Sequence, residues 1–459
     1  MLVDRLFMMF TFIKQYVCPI YKDKKLLLLS LISFFVSGAY TILKEFKYLV
    51  FMATVGKEYI PFVKIGALLV LVPALFIYSR FVDTKSKYQL LFGYTSVYFV
   101  FGCIFLFFLG SPTIGIANTS LSVSRYFGWL FYFFVEGYNP FVLSLFWAFT
   151  NSISTPNEAK NNYGIFIALA NLGGAVSSGL ACLLFSLNNK LFKITDIFMH
   201  QIVLAIAIVF LGLILFCVIT LLKTISKRRL IGYEDLCSTK DEDCEQIGMF
   251  AGLKLLLQSK YVLAIAATVF FYEIIDTIFG YLRVIVAQES SSSISGMSNF
   301  LFTSVFILHS FGFLIAILGA NFVIKRFGVS RCLLITPVLT MLLLLIFFFN
   351  SSSIMVIVTF IIFRSLNYIF TIPVRQALYI PTSKTIRFKS KSWIGVFGSK
   401  FGKVGGSTYT IFVELFKSAA HVPLYVGCCL TVACSWLFVS RFLGLRFDTV
   451  VKKKELICR

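Results

Sequence analysis

Charged side chains are scarce in this chain. Asp, Glu, Lys and Arg make up 14% of the 459 residues, hydrophobic residues make up 59%, and the mean hydropathy is +0.89. A soluble domain needs more polar surface than this to cover its core, so the composition excludes a soluble globular protein. It predicts an all-α polytopic membrane protein, because spans of about 20 residues in lipid must satisfy their backbone hydrogen bonds as helices.

Acidic residues are the scarcest charged class. The chain has 20 Asp and Glu against 42 Lys and Arg, which gives a net charge of +22. The basic residues collect in alternate loops, and three intervening loops, 111–122, 288–298 and 350–353, contain no Lys or Arg. The loop that holds Lys57 and Lys64 is an exception. This positive-inside pattern predicts an even number of spans with both termini in the cytoplasm. Because topology accounts for the charge, we expect no binding to nucleic acid.

Motifs for catalysis or metal binding are missing from the sequence. The eleven cysteines show no C-x-x-C spacing, the three histidines lie far apart, and no H-E-x-x-H motif or catalytic triad occurs. We therefore expect no metal, no cofactor and no enzymatic activity. The apolar run near 6–13 is short and no small-residue cleavage site follows it, so we do not expect a signal peptide. An Arg- and Ser-rich transit peptide is missing as well, which favours a cell membrane over a plastid.

Apolar stretches long enough to cross a bilayer recur along the chain. We predict about twelve transmembrane helices, at 26–44, 60–79, 89–110, 126–150, 164–187, 201–223, 261–284, 300–324, 331–349, 353–372, 392–416 and 423–445. The loops RFVDTKSKYQLLF and KRFGVSRCLLI, after the second and eighth spans, are similar. This similarity predicts two six-helix halves, 1–223 and 259–459, joined by a cytoplasmic linker at 224–258. Such a repeat is typical of major-facilitator-like transporters, whose substrate site lies between the halves.

Ionisable residues inside the predicted spans are few, and each is expensive in lipid. They are Lys44, Glu45, Lys47, Glu136, Glu273, Asp276, Arg283, Arg364, Lys400, Lys403 and Glu414. One interpretation is structural: these side chains pair within the bundle or extend to the membrane interface. The other is that they line an aqueous pathway, where lysines attract an anion and carboxylates balance it. The sequence leaves both interpretations open.

The segment 375–406 holds the densest basic cluster. It contains seven basic residues and no acid, and it leads into the eleventh span. Lys400 and Lys403 lie within that span, which favours the handling of phosphate-like anions. The glycines of this segment have two interpretations, because they can let an anion approach the backbone or let helices pack tightly. Their spacing excludes a Walker A loop.

Three segments resemble one transporter family. YTILKEFKYLV followed by EYIPFVK resembles LRTLKDTLVV…AEIIPFLK, and EGYNPFVLSLFWAFTNSISTPNEAKNNYGIFIALANLGG resembles ELWGSVVLSLLFWxFANxITxxxEAKRFYPLFGLGANxG. RQALYIPTSKTIRFKSKSWIGVFGSKFGKVGG resembles KEMxYIPL…KxKGKAAIDVxGSRxGKSGG. The family is that of the ATP/ADP translocases of intracellular parasites and plastids, which is distinct from the mitochondrial carriers. The resemblance covers most of the chain.

The resemblance implies roles for particular residues. Four lysines are implied to bind the nucleotide phosphates: Lys47, Lys391, Lys400 and Lys403. Three carboxylates are implied for coupling or charge balance: Glu136, Glu273 and Asp276. Supporting positions are Asn151, Lys160, Asn171, Gly402, Gly405 and Gly406.

The chain also departs from the family pattern. Gly395 stands where the family motif has Asp. The seventh span, FYEIIDTIFGYLR, keeps little of the family's LVEVTWK, and neither Glu273 nor Asp276 aligns cleanly with the family glutamate. These departures suggest a change in substrate choice or in coupling.

The resemblance implies a function in transport. The implied activity is exchange of ATP for ADP by alternating access, with import of host ATP. Two alternatives stay open: proton-coupled net import of nucleoside triphosphates such as GTP or pyrimidine nucleotides, and a diverged membrane protein that does not transport. The implied partners are ATP, ADP or other nucleotides and the lipid bilayer. We expect a monomeric multi-pass protein of the cell membrane.

Overall fold

Helices make up most of the described chain. The computed structural model describes residues 23–154, 156–188, 194–226, 258–291, 293–318, 328–379, 382, 391–415 and 421–453. Each of the twelve predicted apolar stretches overlaps a helix in these ranges. The predicted linker, 224–258, lies almost entirely outside the described residues.

We number the α-helices of these ranges in chain order. They are α1 Lys24–Thr54, α2 Ile60–Thr84, α3 Lys87–Leu109, α4 Tyr126–Glu136, α5 Ser144–Ile153, α6 Pro156–Leu187, α7 Asp196–Thr224, α8 Lys260–Glu289, α9 Ile294–Leu318, α10 Val329–Phe349, α11 Ser353–Leu366, α12 Ile372–Leu378, α13 Lys391–Leu415 and α14 His421–Lys453. A 3₁₀ turn, Lys57–Tyr59, joins α1 to α2. Gly56 precedes this turn with φ of 118°, a conformation that favours glycine.

Nine helices in the described ranges are long and apolar enough to cross a membrane. They lie in α1, α2 with its preceding 3₁₀ turn, α3, α6, α7, α8, α9, α10 and α14. Helix α11 is apolar but shorter. The predicted all-α, multi-pass membrane class is confirmed, and the count of twelve spans stays a prediction.

Two predicted spans, 126–150 and 353–372, are not continuous α-helices. The π-helices Asn139–Leu143 and Asn367–Thr371 interrupt them. The first π-helix contains Pro140, which has no N–H to donate and whose ring crowds the carbonyl group one turn earlier. A π-turn absorbs such a misfit by widening the hydrogen-bonded ring, and π-turns are frequent at functional sites.

The chain divides into two compact units. The first consists of Met1–Lys57, Val70–Asp243 and Ser290–Leu318, and the second consists of Glu58–Leu69, Cys244–Glu289 and Gly319–Arg459. Helix α9 therefore belongs to the first unit, where it packs along α6. The start of α2 belongs to the second unit. The predicted boundaries of the two six-helix halves stay a prediction.

In the first unit, α1 is the central helix and packs against α4, α6 and α7. Its side chains Ile32, Val36 and Phe46 are completely buried. The contact with α6 is close, because a Cβ added to Gly173 would lie 2.1 Å from the carbonyl oxygen of Phe34. Only a residue without a side chain lets the two backbones approach in this way.

In the second unit, α8 packs against α13 and α14. Three glycines of α13, spaced four residues apart, face α8. A Cβ on Gly398, Gly402 or Gly406 would lie 3.0, 2.7 or 2.9 Å from the nearest atoms of α8. The small-residue stripe therefore brings α13 against the face of α8 that carries Glu273.

Candidate functional site

Two predicted site residues of the first unit, Lys47 and Glu136, form an ion pair. The Nζ atom of Lys47 on α1 lies 2.5 Å from Oε2 of Glu136, the last residue of α4. The two side chains are 5% and 9% exposed. The ammonium group also lies 4.8 Å from the ring centroid of Tyr132 and 5.0 Å from that of Tyr48. The carboxylate and the faces of both rings therefore stabilise the lysine charge away from bulk water.

Aromatic side chains extend this environment. The rings of Tyr40 and Tyr138 are stacked, with centroids 5.5 Å apart, and Lys44 Nζ lies 5.9 Å from the Tyr40 centroid. The buried Tyr138 hydroxyl donates to the Val36 carbonyl. Tyr98 donates its hydroxyl to the Phe134 carbonyl, which secures the helical turn that ends at Glu136. Two tyrosines of this aromatic environment, Tyr98 and Tyr138, therefore have hydrogen-bonded hydroxyl groups.

The supporting residues of the first unit lie on α5 and α6. Asn171 on α6 is buried, and its side-chain amide donates a hydrogen bond to the Ile167 carbonyl. Its Oδ1 atom lies 3.3 Å from Nδ1 of His309 on α9. Asn151 on α5 is exposed and accepts a hydrogen bond from Tyr163. Lys160 lies on α6, and its side chain is outside the described part of the chain.

In the second unit, Asp276 of α8 forms a two-pronged ion pair with Arg364 of α11. Nε and Nη2 of Arg364 lie 2.6 and 2.7 Å from the two carboxylate oxygens. The guanidinium carbon lies 4.4 Å from the ring centroid of Phe360, one turn earlier on α11. The Tyr272 hydroxyl lies 3.5 Å from Oδ1 of Asp276. A bidentate pair of this kind fixes both side chains more firmly than a single contact does.

The sequence places Arg364 inside a span but does not single it out as a site residue. The structure makes it the partner of a predicted coupling residue. One signal was available: Arg364 is the only charged residue of the tenth predicted span, so it needs a carboxylate or a ligand.

Glu273 and Lys403 lie on adjoining helices of the second unit. Glu273 on α8 accepts a hydrogen bond of 2.9 Å from Ser399 on α13, and it interacts electrostatically with Lys403, one turn after Ser399. Lys403 and the neighbouring Lys400 are both half-buried. Lys391 begins α13, and its side chain is outside the described residues.

The glycines predicted to support the site lie in the contact between α8 and α13. A Cβ on Gly402 would lie 2.7 Å from both Cβ of Glu273 and the Phe270 carbonyl oxygen. Gly406 faces the Ile274 carbonyl in the same way, whereas a Cβ on Gly405 would make only ordinary contacts with Ile274. The described packing of Gly402 and Gly406 thus follows the second interpretation, close approach of helices.

The described parts of both units contain ion pairs that are largely removed from water. Each unit pairs a cation with a carboxylate, and one member of each pair, Lys47 or Asp276, lies in a helix long and apolar enough to cross a membrane. Among the residues that the structure describes, no three His, Cys, Asp or Glu side chains are grouped to hold a metal ion.

Comparison with known proteins identifies relatives along nearly the whole chain. Residues 7–361 match the protein family described as TLC ATP/ADP transporter. The chain is 23% identical to ADP,ATP carrier protein 1 of Rickettsia prowazekii (strain Madrid E), over 96% of this chain and 97% of that protein. It is 24% identical to ADP,ATP carrier protein 1 of Chlamydia trachomatis serovar D, over 96% and 93%.

The fold is similar to that of solved transporters. One of them is the major facilitator superfamily transporter FucP in its outward conformation. The match has a TM-score of 0.55 and 14% identity, and it covers 94% of this chain and 99% of the FucP chain. At this identity the likeness concerns the fold alone, and it confirms the predicted major-facilitator-like class.

Proposed function

The chain belongs to the TLC ATP/ADP transporter family, and on that premise we propose that it exchanges ATP for ADP across the membrane that it spans. The relatives from Rickettsia and Chlamydia carry the name ADP,ATP carrier, and they match over nearly their whole length. The proposed direction is import of ATP against export of ADP, by alternating access of one substrate pathway.

The pairing of Lys47 with Glu136 is the observation that carries the proposal. The triphosphate of ATP has three to four negative charges, and transfer of such a group out of water is prohibitive without cations to receive it. Lys47 lies inside a span helix, nearly inaccessible to water, with a carboxylate as its counter-ion. A phosphate group can take the place of that carboxylate, and the carboxylate can restore the pair after the substrate leaves.

The second unit offers the other cations of the proposed pathway. Lys400 and Lys403 lie half-buried on α13, and Lys403 is balanced by Glu273. We assign phosphate binding to Lys47, Lys391, Lys400 and Lys403, and charge balance to Glu136, Glu273 and Asp276. Asn151, Lys160, Asn171, Gly402, Gly405 and Gly406 support the pathway. The assignment follows the family motifs except at Glu273 and Asp276, which are assigned because each lies beside a cation of another helix.

Exchange requires that the loaded protein changes conformation more easily than the empty one. Re-formed ion pairs in the empty protein supply a reason, because breaking them without a phosphate leaves buried charges uncompensated. Exchange of ATP for ADP moves one net charge, so the membrane potential biases the direction. We expect no ATP hydrolysis.

The proposed setting is a cell membrane, with the protein as a monomer and both termini in the cytoplasm. The excess of Lys and Arg in alternate loops supports this orientation.

Proton-coupled net import of nucleoside triphosphates is the second candidate. The departures at Gly395 and in the seventh span motivate it, because the loss of acids from family positions suggests a change in substrate choice or in coupling. Glu273 accepts a hydrogen bond from Ser399, a neutral donor that can also accept a bond from the protonated acid. In this alternative, uptake into vesicles without internal ADP depends on a proton gradient. In strict exchange, it requires internal nucleotide.

The test is uptake of ATP labelled in its α-phosphate by intact bacteria that express the chain, followed by a chase with unlabelled ADP or GTP. Uptake that the ADP chase releases, and that Lys403→Gln abolishes, establishes exchange. Uptake that no chase releases supports net import. An absence of uptake in cells with confirmed membrane insertion contradicts both proposals and leaves the diverged, non-transporting protein.

A further inference from the structure

The two buried ion pairs occupy corresponding positions in the sequence. The sequence separation between Lys47 and Asp276 equals that between Glu136 and Arg364 to within one residue. The polarity is reversed, since the first pair has its cation on α1 and the second has its cation on α11. Each unit therefore keeps one compensated charge pair. The cation lies on the first helix of the pair in the first unit and on the second helix of the pair in the second unit.

The surroundings of the pairs correspond as well. In each pair the cation lies over an aromatic ring. Lys47 lies over Tyr132, one turn before Glu136, and Arg364 lies over Phe360, one turn before Arg364 itself. A π-helix begins three residues after Glu136 and after Arg364, and it begins with Asn in both cases. Ion pair, ring and π-turn therefore form one repeated arrangement, of which Arg364 is the cationic member in the second unit.

From this correspondence we propose that Arg364 binds a phosphate group of the transported nucleotide, and that Asp276 occupies its guanidinium group when substrate is absent. The inference rests on the proposed function. The Nε and Nη2 atoms of Arg364 donate hydrogen bonds of 2.6 and 2.7 Å to the two carboxylate oxygens of Asp276. Two oxygens of a phosphate present the same acceptors to the same donors, which is the geometry that distinguishes arginine from lysine.

Accessibility singles out Arg364 over its neighbour. Arg283 also stacks on Phe360, with its guanidinium carbon 4.4 Å from the centroid, but it is only 2% exposed. The Arg364 side chain is 13% exposed and that of Asp276 is 12% exposed, so this pair is less enclosed than Arg283.

A second compensated cation lies on the same side of α8. Asp276 and Glu273 are three residues apart and so share a helix face, and Glu273 interacts with Lys403 of α13. One face of α8 therefore holds two carboxylates, each beside a cation from another helix. Two such cations suit a di- or triphosphate better than a monophosphate, because each additional phosphate group brings its own charge to be neutralised.

The experiment measures binding of ATP, ADP, AMP and inorganic tripolyphosphate to the purified full-length protein, with exchange measured in parallel in proteoliposomes. The variants are Arg364→Gln, Arg364→Lys, Asp276→Asn and the double variant Asp276→Asn/Arg364→Gln. The matched control is Arg441→Gln, at an exposed arginine of α14. Monodispersity and thermal unfolding identify variants that fail to fold. The neutral double variant leaves no uncompensated charge, so it tests binding even if a single variant is unstable.

We expect Arg364→Gln and the double variant to bind ATP and tripolyphosphate about tenfold more weakly or worse, as removal of a charge-assisted contact predicts, with a smaller loss for AMP. Arg364→Lys should recover only part of the affinity, because an ammonium group cannot form the fork. Asp276→Asn should act in the opposite direction and bind ATP more tightly with slower exchange, since the competing carboxylate charge is gone.

The outcomes separate the inference from the proposed function. If the wild-type protein exchanges nucleotides and the folded Arg364 variants bind them as the control does, the pair is structural and the inference is overturned. If the wild-type protein does not exchange nucleotides but binds tripolyphosphate in a manner that depends on Arg364, the proposed function fails while phosphate binding by Arg364 is supported. If the wild-type protein binds none of the four probes, the inference is overturned whatever the exchange assay gives.

Discussion

Lys47 on α1 and Glu136 at the end of α4 face each other at 2.5 Å across the core of the first unit. The residues are far apart in the sequence, and both are nearly inaccessible to water. Removal of one partner from such a pair costs about 3–5 kcal/mol, because the other charge is left buried, whereas replacement of both partners by neutral groups costs much less.

The first prediction separates stability from transport at this pair. Lys47→Gln and Glu136→Gln should each lower the thermal midpoint in detergent, and the double variant should recover most of that loss. Lys47→Gln and the double variant should lose nucleotide exchange, because neither offers a cation to a phosphate group. Glu136→Gln keeps the lysine but should slow exchange, because no carboxylate restores the pair after the substrate leaves. Lys85→Gln, at an exposed loop lysine, serves as the control. Full exchange by the double variant would show that the pair is structural only.

The second prediction concerns the contact between α8 and α13. Gly402→Ala should destabilise the protein by about 1–3 kcal/mol, as overpacking of a tight contact does, since its Cβ would lie 2.7 Å from the Phe270 carbonyl oxygen. Gly280→Ala on α8 is the matched control, because no atom lies within 4 Å of its Cβ position. Thermal unfolding of the two variants gives the comparison, and equal midpoints would contradict the described packing.

The third prediction uses the contact of α9 with α6 in the first unit. The Cys182 sulfur lies 3.4 Å from the Thr303 hydroxyl oxygen, close enough for Thr303→Cys to form a disulfide with Cys182 after a small adjustment. Oxidation should join the helices and stop exchange if they separate during the cycle, and a reductant should restore it.

The control for the cross-link is Cys182→Ser/Thr303→Cys, since the chain has other cysteines. Oxidation should leave the exchange activity of this variant unchanged. A disulfide that forms in the first variant without any effect on exchange would show that α6 and α9 stay together throughout transport.

The fourth prediction concerns the loop before α4. The guanidinium group of Arg125 donates to backbone carbonyls of the loop, among them those of Asn118 at 2.8 Å, Ser120 at 2.9 Å and Ile114 at 3.0 Å. Arg125→Gln should release the loop and raise its cleavage rate by proteinase K severalfold, while exchange continues.

The same protease test checks the orientation of the chain. Protease added outside intact cells should cleave this loop, because a loop without Lys or Arg between residues 111 and 122 is expected on the outer side. Cleavage only in permeabilised cells would reverse the proposed topology.

Much of the fold could be predicted because it depends on composition. Long apolar stretches between basic loops predict helices that span a membrane, and each predicted stretch overlaps a helix in the described residues. The family could be predicted as well, since its motifs are short and local. The match at residues 7–361 includes Lys47, Glu136 and Asn171.

Other features depend on contacts between distant segments and could not be predicted. The in-span charges are recognisable one by one, but whether Arg364 pairs with Asp276 or with Glu273 depends on the rotation of α8 and α11 about their axes. The stripe of glycines in α13 had two interpretations until the carbonyl groups of α8 were found against it. The membership of α9 in the first unit is likewise a property of packing.

The sequence by itself determined the membrane class, the helices and the small set of charges that need partners, because the cost of polar groups in lipid is a local property of each segment. Only the tertiary structure decided which carboxylate neutralises which cation and where two spans break into π-turns. Those outcomes follow from side chains of separate helices that compete for the same space and charge, and this competition arises only when the helices pack.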